Sequence, residues 1–173
     1  MSKEKWAVYW YEYSSDTYLY GSEIIYHKLD EVEYKNNLMP SGTVIKQWYS
    51  KTNYQKQRIE PTLPIIDGES RYQITVNIVC PENERWLVRL VFYDKYDVEV
   101  GYVTVREKET EFQCPLKTYS YKLQLINGGM THFYFHSIII REMDDETEKE
   151  LEKTEKNYKA DKALRRIHGG LVR

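Results

Sequence analysis

Tyr72-Gln73-Ile74-Thr75-Val76-Asn77-Ile78-Val79-Cys80 decides the fold class. Every even position is apolar or sulfur-bearing, whereas the odd positions begin Gln73, Thr75, Asn77. A period of two sends alternate side chains to opposite faces of an extended chain, so this stretch reads as a strand with one face buried. Downstream, Trp86, Val88, Leu90 and Phe92 repeat the pattern, with Arg89 on the other face. A turn at Asp94-Lys95-Tyr96-Asp97 leads into Val98, Val100, Tyr102 and Thr104. Tyr121, Leu123 and Leu125 alternate with Lys122 and Gln124 and run into Asn127-Gly128-Gly129, after which His132 to Ile140 is again β-rich. Glycine takes a positive φ at no steric cost, so the two glycines predict a hairpin between these last strands. Upstream, Trp6 to Tyr13, Ile24 to Tyr26, Val32 to Tyr34 and Val44 to Tyr49 read as further short strands.

Eight or more short strands about ten residues apart, with no helical stretch before Met143, predict an all-β antiparallel sandwich or jelly roll over residues 1–143. Residues 144–173 differ in kind. Acidic residues lead (Asp144, Asp145, Glu146, Glu148), basic ones close (Arg165, Arg166, His168), and Gly169-Gly170 supplies a stop. That order complements the helix dipole and predicts a charged C-terminal helix and tail. Asp145–Lys149, Glu152–Lys156, Glu155–Lys159 and Asp161–Arg165 stand in the favourable i,i+4 orientation. The apolar stripe is thin, with Leu151, Tyr158, Leu164 and Ile167 as its candidate partner contacts. A stripe this narrow docks weakly on its own domain or lies on a partner, and a solvated helix is the other reading.

Composition narrows the functional classes. A formal charge of −2, from 25 basic and 27 acidic residues, gives no electrostatic drive toward nucleic acid. No apolar run approaches the roughly 18 residues that span a bilayer, so no membrane insertion is expected. The N-terminus lacks a signal-peptide pattern, which predicts a cytoplasmic protein. Cys80 and Cys114, each followed by proline, are then expected to be reduced thiols. The 17 tyrosines and 4 tryptophans suit both half-buried strands and wet recognition surfaces.

Catalytic and metal motifs are not evident. His132 and His136 have helical zinc spacing but fall on a strand, where four residues span roughly 13 Å and cannot share one ion. No phosphate loop, nucleophile elbow or zincin pattern occurs. The expectation is a chain that is not an enzyme and carries no metal and no cofactor. A cleft with two carboxylates about 5–10 Å apart would revive glycoside chemistry.

The segment Leu38 to Pro64 (LMPSGTVIKQWYSKTNYQKQRIEPTLP) stands out. Pro40-Ser41-Gly42 is a turn, Val44 to Tyr49 a strand, and Ser50 to Gln57 a polar loop. Trp48, Asn53, Tyr54, Gln55 and Arg58 are its candidate glycan or partner contacts. Rings suit the apolar face of a pyranose, and amides and guanidinium suit its hydroxyls. A core tryptophan followed by an ordinary long loop remains the other reading of the same residues.

On this segment the chain resembles the small third subunit of the accessory Sec system proteins. The resemblance rests on Leu38-Met39-Pro40-Ser41-Gly42-Thr43-Val44-Ile45-Lys46, Trp48, Thr52-Asn53-Tyr54-Gln55 and Pro61-Thr62-Leu63-Pro64. Phe92-Tyr93-Asp94, the Phe112 to Pro115 strand end, and Tyr121 to Gly129 extend it over roughly residues 6–142. It implies a carbohydrate-binding-module-like sandwich acting in the cytosol, peripheral to the membrane through an export complex. The implied partners are two larger accessory secretory proteins, the accessory Sec ATPase and a glycosylated serine-rich adhesin. A purely structural adaptor that stabilises the larger subunits is the alternative. Modules of this kind often carry carboxylates for calcium in the last strand. The corresponding Phe133-Tyr134-Phe135-His136-Ser137 lacks those oxygen donors.

Overall fold

A computed structural model describes residues 5–11, 16–50, 62–143, 154–160 and 162. Among these residues ten strands form two antiparallel sheets packed face to face. They are β1 (Lys5–Val8), β2 (Glu23–Lys28), β3 (Glu31–Lys35), β4 (Val44–Tyr49), β5 (Arg71–Val79), β6 (Trp86–Tyr93), β7 (Glu99–Val105), β8 (Glu109–Gln113), β9 (Ser120–Asn127) and β10 (His132–Glu142). The six-stranded sheet runs β2-β3-β10-β5-β8, with β1 also pairing β10, and the four-stranded sheet runs β4-β9-β6-β7. The expected antiparallel sandwich is therefore the observed one. Residues 154–160 and 162, beyond the sandwich, are helical. Cys80 and Cys114 are both free thiols.

The eleven-residue β10 organises its sheet. One edge pairs with β3 through His132 to Phe135 and with β1 through Ile138 to Arg141, while β5 takes the other edge. A bulge between Phe135 and Ser137 shifts the parity, so Phe133 and Phe135 face the core before it and Ile138 and Ile140 after it. One extra residue reverses the alternation of a strand. The decisive stretch behaves as its pattern requires, with Tyr72, Ile74 and Val76 buried.

Two sequence readings need correcting. The chain from Trp6 to Tyr13 is not one strand: β1 ends at Val8, and Tyr11 has φ of +56°. Trp10 leaves the strand direction to fill the sandwich, 1% exposed, with ring centroids 5.5 Å from Phe135, 5.8 Å from Tyr34 and 6.5 Å from Trp48. The second correction concerns Asn127-Gly128-Gly129, which makes no hairpin. β9 belongs to the four-stranded sheet and β10 to the other, so these residues carry the chain between layers. The glycines serve that passage. A Cβ on Gly128 would stand 2.5 Å from the Arg85 carbonyl oxygen, and Gly129 has φ of +119°. One further strand, β8, was legible only at its end, because Glu109-Thr110-Glu111 carries no apolar alternation.

Asn127 ties this passage to the Met39-Pro40 turn. Its Nδ2 donates to the Met39 and Pro40 carbonyls at 3.4 and 3.2 Å, and its Oδ1 accepts from Gly129 N and Met130 N at 3.0 and 2.6 Å. Backbone bonds from Gly42 N to Asn127 O and from Asn127 N to Thr43 O, each 2.8 Å, close the clamp. Asn127 is 2% exposed, so water cannot replace a lost partner. Replacing Asn127 by alanine strands several buried polar groups, each costing about 1–3 kcal/mol. Urea unfolding of Asn127→Ala is expected to show a loss of about 3 kcal/mol; a loss below about 1 kcal/mol would contradict the clamp.

Candidate functional site

The outward face of the four-stranded sheet gathers the residue types that bind polar ligands through a ring. Pairing places Gln47, Gln124, Arg89 and Thr104 in one cross-strand row and Tyr49, Lys122, Val91 and Tyr102 in the next. Trp48, Leu123 and Leu90, which alternate with them, point into the core. Gln124 Nε2 donates to Gln47 Oε1 at 3.0 Å. The Arg89 guanidinium carbon lies 5.5 Å from the centre of the Tyr102 ring, and Lys122 Nζ 5.6 Å from that of Tyr93. Such cation–ring contacts hold both side chains over the face without neutralising them. Tyr102 is 63% exposed and is the most open ring of the group. Tyr49 donates its hydroxyl to Asp16 Oδ2. Burial first, and then Asp16, push the Tyr49 phenol far above its ordinary value, so it remains a donor at any physiological pH.

This face borders the segment singled out in the sequence. Ser50 N donates to Tyr121 O at 3.1 Å, and Thr62 N and Leu63 N both reach Tyr49 O, at 3.0 and 3.3 Å. Tyr121 adds a hydroxyl bond to Pro64 O at 2.6 Å. Ser50 and Thr62, the described residues that flank 51–61, are therefore both held at the Tyr49 end of the sheet. Asn53, Tyr54, Gln55 and Arg58 lie outside the described residues. Trp48 is described, and it sits in the core. It is 1% exposed, stacks on Phe135 at 5.5 Å and donates Nε1–H to Tyr9 O at 2.9 Å. A ring enclosed in this way presents no face to a ligand, which is the core-tryptophan alternative of the sequence reading. Of the helix positions, Leu151, Leu164 and Ile167 lie outside the described residues. Tyr158 is 69% exposed.

A second cluster, on the outer face of the six-stranded sheet, escaped sequence reasoning. Glu33, on β3, accepts from His27 on β2 at 3.1 Å and from His132 on β10 at 2.8 Å, with Lys35 Nζ at 3.4 Å. The bonds from His27 and His132 hold the Glu33 carboxyl down at about 2. The Tyr134 ring lies beside both imidazoles, at 6.4 and 5.3 Å. His136, on the same strand as His132, turns instead to the Asp30 carbonyl at 2.8 Å. The cluster combines residues about a hundred positions apart, and only strand register brings them together. Among the described residues no group of His, Cys, Asp and Glu has the arrangement of a metal site. Nor, among them, is any helix long and apolar enough to cross a membrane.

Fold and face define an antiparallel β-sandwich module with one open, aromatic and polar sheet surface. Residues 17–142 match the family model of the accessory Sec secretory system ASP3. An accessory Sec system protein of that designation from Streptococcus gordonii is 38% identical over 131 residues, 76% of this chain and 82% of the relative. This chain belongs to that family. Among solved structures, a crystal structure of accessory secretory protein 1, 2 and 3 in Streptococcus pneumoniae matches with a TM-score of 0.75 and 27% identity, over 83% of this chain and 100% of that one. A Glycosylation Associate Protein complex from Streptococcus agalactiae matches with a TM-score of 0.75 and 31% identity, over 81% of this chain. The chain spans 45% of the length of the matched agalactiae chain.

The Glu33 cluster has a pH signature. A carboxyl held at about 2 when folded, against an ordinary 4.5, contributes stability that is present above about 4.5 and is lost as pH falls toward 2. The stability advantage of the wild type over Glu33→Gln is therefore expected to shrink across that window in denaturant titrations. An advantage that survives undiminished to pH 2 would contradict the bonding described for Glu33.

Proposed function

We propose that this chain is a non-catalytic binding subunit of a cytoplasmic accessory Sec export complex. In this reading it assembles with two larger accessory secretory proteins and works with the accessory Sec ATPase. Its client is a glycosylated serine-rich adhesin, which it contacts through the outer face of the four-stranded sheet together with segment 51–61. The observation that carries this reading is the face itself: Tyr49, Tyr93 and Tyr102 interleaved with Arg89, Lys122, Gln47 and Gln124. Rings cover the C–H face of a pyranose, and amides and cations bond its hydroxyls. Family membership and the complexes solved for its relatives support the assembly half of the reading. Weak single contacts suffice for a repetitive client, because linked sites raise the effective concentration.

A purely structural adaptor is the second reading. It is favoured by the position of Trp48 and of the Met39-Pro40 turn, family-signature residues that serve packing. The two separate on client binding. The purified chain is expected to bind glycosylated client repeats and not unglycosylated ones, with Tyr102→Ala and Lys122→Ala together weakening binding about tenfold, or roughly 1.4 kcal/mol. Equal binding of both repeats, or binding indifferent to the substitutions, would leave the adaptor reading. Co-purification of the larger subunits with the same variant tests assembly separately.

A further inference from the structure

We propose that the groove at the Asn127 end of the sandwich is a second binding site, for a sugar ring that carries an acidic group, either a carboxylate or a phosphate. The groove has a volume of about 390 Å³ and is lined by Glu84, Arg85, Trp86, Leu87, Arg106 and Gly128. It lies at the opposite end of the four-stranded sheet from Tyr49: Trp86 pairs with Asn127, whereas Tyr49 pairs with Lys122 near the start of β9. It is thus separate from the tyrosine face and does not depend on the role assigned to that face. Its volume is in the range of small-ligand sites, roughly 300–1,000 Å³.

The lining dictates the ligand class. Trp86, at the start of β6, packs against the core and lines the groove with the part of its indole left uncovered, which offers an apolar edge to a pyranose. Arg85 and Arg106 are exposed, and among the described residues neither guanidinium makes a hydrogen bond or ion pair. Two unpaired guanidiniums against one carboxylate leave the groove with one net positive charge. A neutral sugar would leave that charge unmet. One acidic oxygen group between the two arginines meets it with charge-assisted bonds.

Glu84 is already fixed in place. Thr131 Oγ1 donates to its Oε1 at 2.6 Å, and His132 N approaches its Oε2 at 3.4 Å. Burial pushes the Glu84 carboxyl up, but the bonds from Thr131 and His132 outweigh it and bring the group below its ordinary value. As part of the lining, its carboxylate keeps lone pairs that can accept from ring hydroxyls. The backbone beneath is equally fixed, since Gly128 N donates to Arg85 O at 2.9 Å and Glu84 N to Pro81 O at 2.9 Å. With the backbone and Glu84 held in advance, the ordering cost of binding falls mainly on Arg85 and Arg106.

The full chain, labelled on its indole nitrogens, is titrated with glucuronate, glucose 6-phosphate, glucose and inorganic phosphate. The Trp86 signal is assigned by comparison with Trp86→Phe. Glucuronate or glucose 6-phosphate is expected to shift the Trp86 signal and to bind at least tenfold tighter than glucose; which of the two does so identifies the acid. Arg85→Gln with Arg106→Gln is expected to abolish the preference while the unfolding midpoint stays unchanged, as two exposed and unpaired side chains allow. The proposal is overturned if neither acid moves the Trp86 signal, if glucose binds as tightly, or if the preference survives in the double variant. Inorganic phosphate binding as tightly as glucose 6-phosphate overturns the sugar ring as part of the ligand.

Discussion

Asn127 makes its side-chain bonds in two directions at once, and the sandwich depends on both. Toward Met39 and Pro40 it fixes the turn that delivers the chain into β4. Toward Gly129 and Met130 it fixes the passage that carries the chain from the four-stranded layer into β10. β10 in turn pairs with β1, β3 and β5, so the register of the six-stranded sheet starts from this passage. The groove that opens beside Gly128 has its floor in the same backbone. A single buried amide thus couples sheet register, layer crossing and a candidate binding site. Its four side-chain partners are all main-chain groups.

The aromatic surplus divides between core and surface by a simple rule. Trp10, Trp48, Tyr34, Phe133 and Phe135 form one contiguous cluster between the layers. Where a tyrosine is buried its hydroxyl still finds a loop main-chain group: Tyr34 donates to the Tyr18 carbonyl at 2.8 Å, Tyr121 donates to the Pro64 carbonyl at 2.6 Å, and Tyr72 accepts from Asp67 N at 2.8 Å. Buried hydroxyls paired in this way act as fasteners, since leaving them unmade is costly. Lys46 follows the same logic among rings. It is 1% exposed, and its amine donates to Thr17 Oγ1 at 2.9 Å and lies 4.8 Å from the Trp10 ring centre. Burial pushes that amine down to about 7, with Asp16 opposing. On the four-stranded sheet, Tyr49, Tyr93 and Tyr102 are the tyrosines that alternation sends to the outer face.

Much of the fold was legible because period-two alternation reports burial directly, and β4, β5, β6, β9 and β10 were found near their observed bounds. β8 was not, because an edge strand with Phe112 as its one buried residue has little pattern to show. The Asn127-Gly128-Gly129 passage was misread because glycine reports backbone freedom, not which sheet the next strand joins. The site was less legible than the fold. Trp48 has a residue type that suits either a sugar or a core, and composition has no term for which side of the strand it faces. The Glu33 cluster and the groove at Trp86 had no sequence signal at all. Their members converge only through cross-strand register and the meeting of loops at one end of the sandwich.

The proposed client contact is the tyrosine face of the four-stranded sheet. Fluorine NMR of the chain carrying fluorotyrosine reads every ring at once, with assignments from single Tyr→Phe variants. On addition of glycosylated client repeats, the signals of Tyr49, Tyr93 and Tyr102 should move while those of the core residues Tyr34, Tyr72 and Tyr121 stay in place. Binding that leaves the first three unmoved, or that moves only Tyr20, Tyr96 or Tyr119 elsewhere on the surface, would contradict the account.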